Sequence, residues 1–109
     1  MKLGRVIGTV VSTVKDENLG GLKLLIVALC DLYGKEDVTD QLVAVDAVGA
    51  GIEEVVLVAS GSSARQTEKT KNRPVDAVIM GIVDSLEVDG KFTFLKTPQK
   101  LTQKAGKKD

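Results

Sequence analysis

A chain of 109 residues with fifteen basic and fifteen acidic side chains, no histidine and one cysteine is a single domain by length and formally neutral. One cysteine excludes an internal disulfide and suits a reducing compartment, and without histidine no Cys/His metal set can be assembled. No apolar run approaches the roughly 20 residues of a membrane span, and the run after Met1-Lys2-Leu3-Gly4-Arg5 is broken by Gly8 and Thr9, so a soluble cytoplasmic chain with no membrane partner is expected.

The neutrality hides an asymmetry. Residues 95–109 carry Lys96, Lys100, Lys104, Lys107 and Lys108 against Asp109 alone, which leaves ten basic and fourteen acidic residues, a net charge of −4, in residues 1–94. An acidic body argues against a nucleic-acid surface, and the lysine-rich end reads as a solvated terminus.

Taken in order, the chain reads as strands nearly throughout. Residues 3–12 are β-branched with glycine breaks, 22–29 form a dense apolar run, and 42–48, 55–59 and 75–83 repeat the pattern. Polar connectors fall at Lys15 to Gly20, Asp31 to Gln41, Gly49 to Gly51 and Gln66 to Arg73. Ser85-Leu86-Glu87-Val88 and Lys91-Phe92-Thr93-Phe94 flank Asp89-Gly90, the pairing expected of a β-hairpin.

The faces of these strands narrow the fold. In 22–29, Leu22, Leu24, Ile26 and Ala28 alternate with Leu25, Val27 and Leu29, and in 77–83 both sides are again apolar, so both faces call for burial. Helices on a parallel sheet would supply it, but the link from Val48 to Val55 is too short for a parallel crossover, which needs a dozen or more residues. The expectation is an all-β, mainly antiparallel small closed barrel whose outer face is covered by other copies of the chain. Glycines within or beside the strands, among them Gly4, Gly8 and Gly81, suit barrel corners and close backbone approach.

The motifs offer little chemistry. Gly49-Ala50-Gly51-Ile52-Glu53-Glu54 starts like a dinucleotide fingerprint, but Glu54 replaces the third glycine and a strand follows instead of a helix, so a tight hairpin loop is expected. In Gly61-Ser62-Ser63-Ala64-Arg65, Ser63 and Gln66 fit a capping box that would start one short helix; the alternatives for this turn are an anion contact and a subunit contact through Arg65. Asp46 and Asp76 each interrupt an apolar stretch and suit backbone hydrogen bonds at strand ends better than a catalytic pair. Cys30 closes an apolar strand as a small buried residue. No catalytic, cofactor-binding or metal residue emerges.

Several segments in order carry a resemblance: Gly8-Thr9-Val10-Val11-Ser12-Thr13-Val14-Lys15, Lys23-Leu24-Leu25-Ile26-Val27, Val45-Asp46-Ala47-Val48-Gly49-Ala50-Gly51, Val56-Leu57-Val58-Ala59-Ser60-Gly61-Ser62-Ser63-Ala64-Arg65 and Pro74-Val75-Asp76-Ala77-Val78-Ile79-Met80-Gly81-Ile82-Val83-Asp84. Together, over residues 1 to 88, they resemble the vertex proteins of bacterial microcompartment shells, the EutN/CcmL type shared by carboxysomes and ethanolamine-utilisation compartments. The resemblance implies an OB-like β-barrel, a non-enzymatic role, and a homo-pentamer that caps the corners of a shell whose facets are hexameric proteins. It also implies that Asp46, Gly49, Ala50, Gly51, Glu54, Gly61, Ser62, Ser63, Ala64, Arg65 and Asp76 serve subunit assembly. Residues 1–88 would form the vertex domain and 89–109 a hairpin end and lysine-rich tail able to contact shell or cargo. One position departs from the family pattern: Glu53 stands where a glycine precedes the glutamate. The alternatives are an OB-type module for single-stranded nucleic acid, which lacks the basic, aromatic groove such binding uses, and an enzyme built on Asp46 and Asp76.

Overall fold

The computed structural model describes residues 1–12, 21–61 and 76–96, with the backbone alone over 36–39. Its strands are β1 (Lys2–Thr9), β2 (Leu24–Cys30), β3 (Glu36–Asp46), β4 (Val55–Ser60), β5 (Ala77–Ile82), β6 (Ser85–Val88) and β7 (Lys91–Leu95). The first five close a barrel in the order β1-β2-β3-β5-β4, with β1 paired to both β2 and β4. All its pairings are antiparallel except β3 with β5, which run parallel through Val45↔Val78 and Asp46↔Ile79. The all-β closed barrel expected from two-faced strands is the architecture found.

Alternation along the strands fills the interior. Val6, Leu25, Val27, Ala44, Val56, Val58 and Ile79 form one buried cluster, joined by Ala50 from the loop after β3. Gly4 sits where β1 crosses this core: a Cβ there would overlap the Val27 side chain and lie 3.1 Å from the Ala28 carbonyl oxygen. Only glycine fits so close a backbone approach.

The outer face departs from expectation. A cross-strand row runs Leu24↔Val45↔Val78↔Ala59 over β2, β3, β5 and β4. Val45, Val78 and Ala59 are buried within the single chain and packed by Leu22, Leu24, Ala47 and Met80. That part of the second apolar face needs no second copy, because residues of the same chain already exclude water from it. Outward-facing Val43, by contrast, is 49% exposed.

Two connectors also differ. Asp31 to Gln41 was expected to be a loop, yet β3 begins at Glu36 and pairs back on β2 through Cys30↔Glu36 and Ala28↔Gln41. The turn is closed locally instead: Asp31 Oδ1 accepts the Tyr33 N–H at 2.8 Å and the Lys35 N–H at 3.0 Å, an aspartate substituting for a backbone carbonyl. The polar segment beyond it pairs by its backbone, so apolar patterning could not reveal it. The Gly49–Gly51 segment is likewise no hairpin loop, since β5 lies between β3 and β4.

The Asp89-Gly90 hairpin is present, with β6 and β7 as a separate two-stranded sheet. Both turn residues have positive φ, 53° and 79°, as a primed turn requires. The expected helix after Gly61-Arg65 and the lysine-rich tail lie outside the described residues.

Candidate functional site

The sequence between β3 and β4 folds around one carboxylate. Asp46 ends β3 with its side chain buried, and its Oδ1 accepts the backbone N–H groups of Val48 at 3.0 Å, Gly49 at 2.9 Å and Ala50 at 3.1 Å. Its Oδ2 faces Lys23 Nζ at 3.9 Å. The tight coil carries Gly49 at φ 80°, a left-handed conformation that glycine adopts without strain. It also turns Ala50 into the core, where the side chain is only 1% exposed.

The second half of the loop is tied to β1. The Glu53 N–H donates to the Val6 carbonyl at 2.8 Å and the Val6 N–H to the Glu54 carbonyl at 2.9 Å. Glu53 takes φ 78°, which explains why glycine is the residue expected at this position. Its carboxylate lies against Arg5 Nη1 at 2.6 Å, on a largely exposed side chain.

Glu54 faces the other way. Its Oε1 accepts the Gly51 N–H at 2.7 Å and its Oε2 meets Lys96 Nζ at 3.0 Å, just past β7. The Gly51 amide, followed by the Lys96 ammonium, holds the Glu54 carboxyl below its ordinary value.

Asp46, Gly49, Ala50, Gly51 and Glu54 are therefore one unit. Gly61 and Asp76 form a second, joined by the Gly61 N–H donating to the Asp76 carbonyl at 2.9 Å. Asp46 is paired to Ile79 in the β3–β5 ladder, so Asp76, three residues earlier and just before β5 begins, lies about 10 Å away by strand rise. Asp46 is committed to three amides and Asp76 is exposed. Ser62, Ser63, Ala64 and Arg65 lie outside the described residues. Sequence reasoning missed Arg5 and Lys96, which meet their carboxylates across long sequence separations with no local motif. Glu53 had a signal, the side chain in place of a glycine.

Comparison with known proteins decides what this loop belongs to. The family model described as ethanolamine utilisation protein EutN/carboxysome matches residues 1–84. The chain belongs to the EutN/CcmL family. It is 44% identical to the carboxysome shell vertex protein CcmL of Gloeobacter violaceus over 91% of this chain and 98% of that one. The solved structure of that protein superposes with a TM-score of 0.83, covering 88% of this chain. The microcompartment shell vertex protein GrpN of Rhodospirillum rubrum is 52% identical over 80% of this chain and 97% of the relative. Its structure, described as a pentameric shell protein, has a TM-score of 0.73 and covers 81% of this chain and 99% of that one. The microcompartment shell vertex protein EutN of Salmonella typhimurium is 45% identical over 88% of this chain and 96% of the relative.

Proposed function

We propose that this EutN/CcmL chain is a structural vertex protein of a bacterial microcompartment shell in the cytoplasm, assembling as a homo-pentamer that caps a corner. The observation that carries this reading is the pentameric shell protein GrpN, matched over nearly its whole length at 50% identity. Five copies related by a rotation axis form a closed ring in which each subunit presents two different faces. Flat hexagonal layers cannot close without five-fold corners, so the task is one of shape, and hexameric facet proteins are the partners it requires. No chemistry is assigned to Asp46, whose carboxylate is bound by its own loop.

The loop from Asp46 to Glu54 is the proposed assembly element. Val48 and Ile52 project from it at 39% and 50% exposure, and Val43 lies on the adjoining strand. These side chains are the apolar surface that a neighbouring copy would cover. The lysine-rich segment from 97 onward is proposed to reach facet protein or cargo.

Native mass spectrometry at micromolar concentration tests the proposal. A five-chain species is expected; a stable monomer or dimer would overturn it.

A further inference from the structure

The β6–β7 hairpin is a sheet of its own, and an isolated two-stranded hairpin is marginal in water. How it sits on the barrel is therefore set by what ties it down. At its base the Val83 N–H donates to the Val55 carbonyl at 2.8 Å, and the Lys96 N–H donates to the Asp84 carbonyl at 2.8 Å. Further out, the Thr93 hydroxyl donates to the Leu32 carbonyl at 2.7 Å, in the β2–β3 turn. Half-buried Leu86 and Phe94 belong to neither buried apolar cluster of the barrel.

The contact that stands out is Glu54. One oxygen takes the Gly51 amide and the other takes the Lys96 ammonium, so one carboxylate joins the loop after β3 to the end of β7. Lys96 also lies 3.9 Å from Asp84 Oδ1, which holds the ammonium at the hairpin base. The barrel, meanwhile, closes through β1 with β2 and β4 and includes neither hairpin strand.

We propose that Glu54 is a latch that clips the β6–β7 hairpin to the Gly49–Glu54 loop, and that releasing it lets the hairpin swing about Val83 and Asp84 as a unit while the barrel stays closed. Opening breaks no barrel ladder, so it is a local event below global unfolding. The latch is an ion pair on partly exposed side chains, which makes it weak enough to open and sensitive to salt.

Hydrogen exchange followed by mass spectrometry on the full chain tests this with Glu54→Gln, Lys96→Gln, the double variant and Lys96→Arg. Glu54→Gln keeps one oxygen as acceptor for the Gly51 amide and replaces the oxygen facing Lys96 with an NH2 donor, removing both the charge and the acceptor for the ammonium. Each Gln variant is expected to speed exchange over residues 85–95 by about 1.5- to fivefold, the span of a weak ion pair, with β1 to β5 unchanged. The double variant should exchange no faster than Lys96→Gln, and Lys96→Arg should remain near the native rate. Unchanged hairpin exchange in Glu54→Gln overturns the latch, as do barrel peptides accelerating in step or additive effects in the double variant. Thr93→Val, which leaves the ion pair in place, is the second route: faster exchange in the hairpin alone supports a separately opening unit, and acceleration shared with the barrel overturns it.

Discussion

A single aspartate oxygen receiving three consecutive amides replaces the turn that a hairpin would have provided. Asp46→Ala strips all three amides of their acceptor in a buried setting. Chemical denaturation at fixed protein concentration should show a loss of about 2–4 kcal/mol, with Asp46→Asn losing about half as much because an oxygen remains. Glu53 makes the opposite case. Its left-handed backbone is strained for any side chain with a Cβ, by about 1–2 kcal/mol, while its pair with Arg5 is a surface one. Glu53→Gly should therefore be at least as stable as the native chain in thermal melts, and more stable than Glu53→Ala by about 1 kcal/mol. An alanine that matched the glycine would show that the conformation carries no strain. The departure of Glu53 from the glycine pattern was legible in the sequence as an oddity. Its backbone conformation was not, because φ at this residue is imposed by the pairing of the loop with Val6, far away in the chain.

Local chemistry was most readable where an element is closed by its own residues. Asp89-Gly90 announced the β6–β7 turn because both positions need positive φ and few residue pairs tolerate it. The start of β3 was hidden, since a run of polar residues that pairs through its backbone leaves no apolar signal in the sequence. Likewise, the placement of β5 between β3 and β4 depends on pairing partners remote in sequence. The carboxyl groups that close these elements make stability depend on pH. Glu54 is held below its ordinary 4.5 in the folded chain by the Gly51 amide and Lys96. Asp31 is shifted the same way by the amides of Lys35 and Tyr33. A carboxyl with a lowered folded value stabilises fully above its unfolded value, and that contribution is lost as pH falls through the folded one. Acid titration of the melting temperature should thus fall less steeply below pH 4.5 for Glu54→Gln than for the native chain. Parallel curves would mean that ionising Glu54 against the Gly51 amide and Lys96 contributes nothing to folding.

For the molecule as a whole, the closed all-β form followed from strands apolar on both faces and from links too short for parallel crossovers. Its outer surface was read less well: the Leu24-Val45-Val78-Ala59 row is covered within one chain, which periodicity alone cannot distinguish from covering by a neighbour. If the chain works as a ring, association stabilises the folded form by mass action. Raising protein concentration about a hundredfold should then raise the melting temperature, and an unchanged value would contradict obligate association. The ring so formed would unite subunits whose barrels are each already complete.

That completeness comes from β1, which seals both sides of the sheet. Among the described residues the closed barrel has no open seam and so no barrel strand to lend, which leaves side chains and the separate β6–β7 hairpin as the means by which neighbours would meet. The angle between neighbours would then be set at the surface of the barrel and not within its ladders. Exposed residues could then retune corner geometry one at a time while the hydrogen-bonded frame of the barrel stays intact.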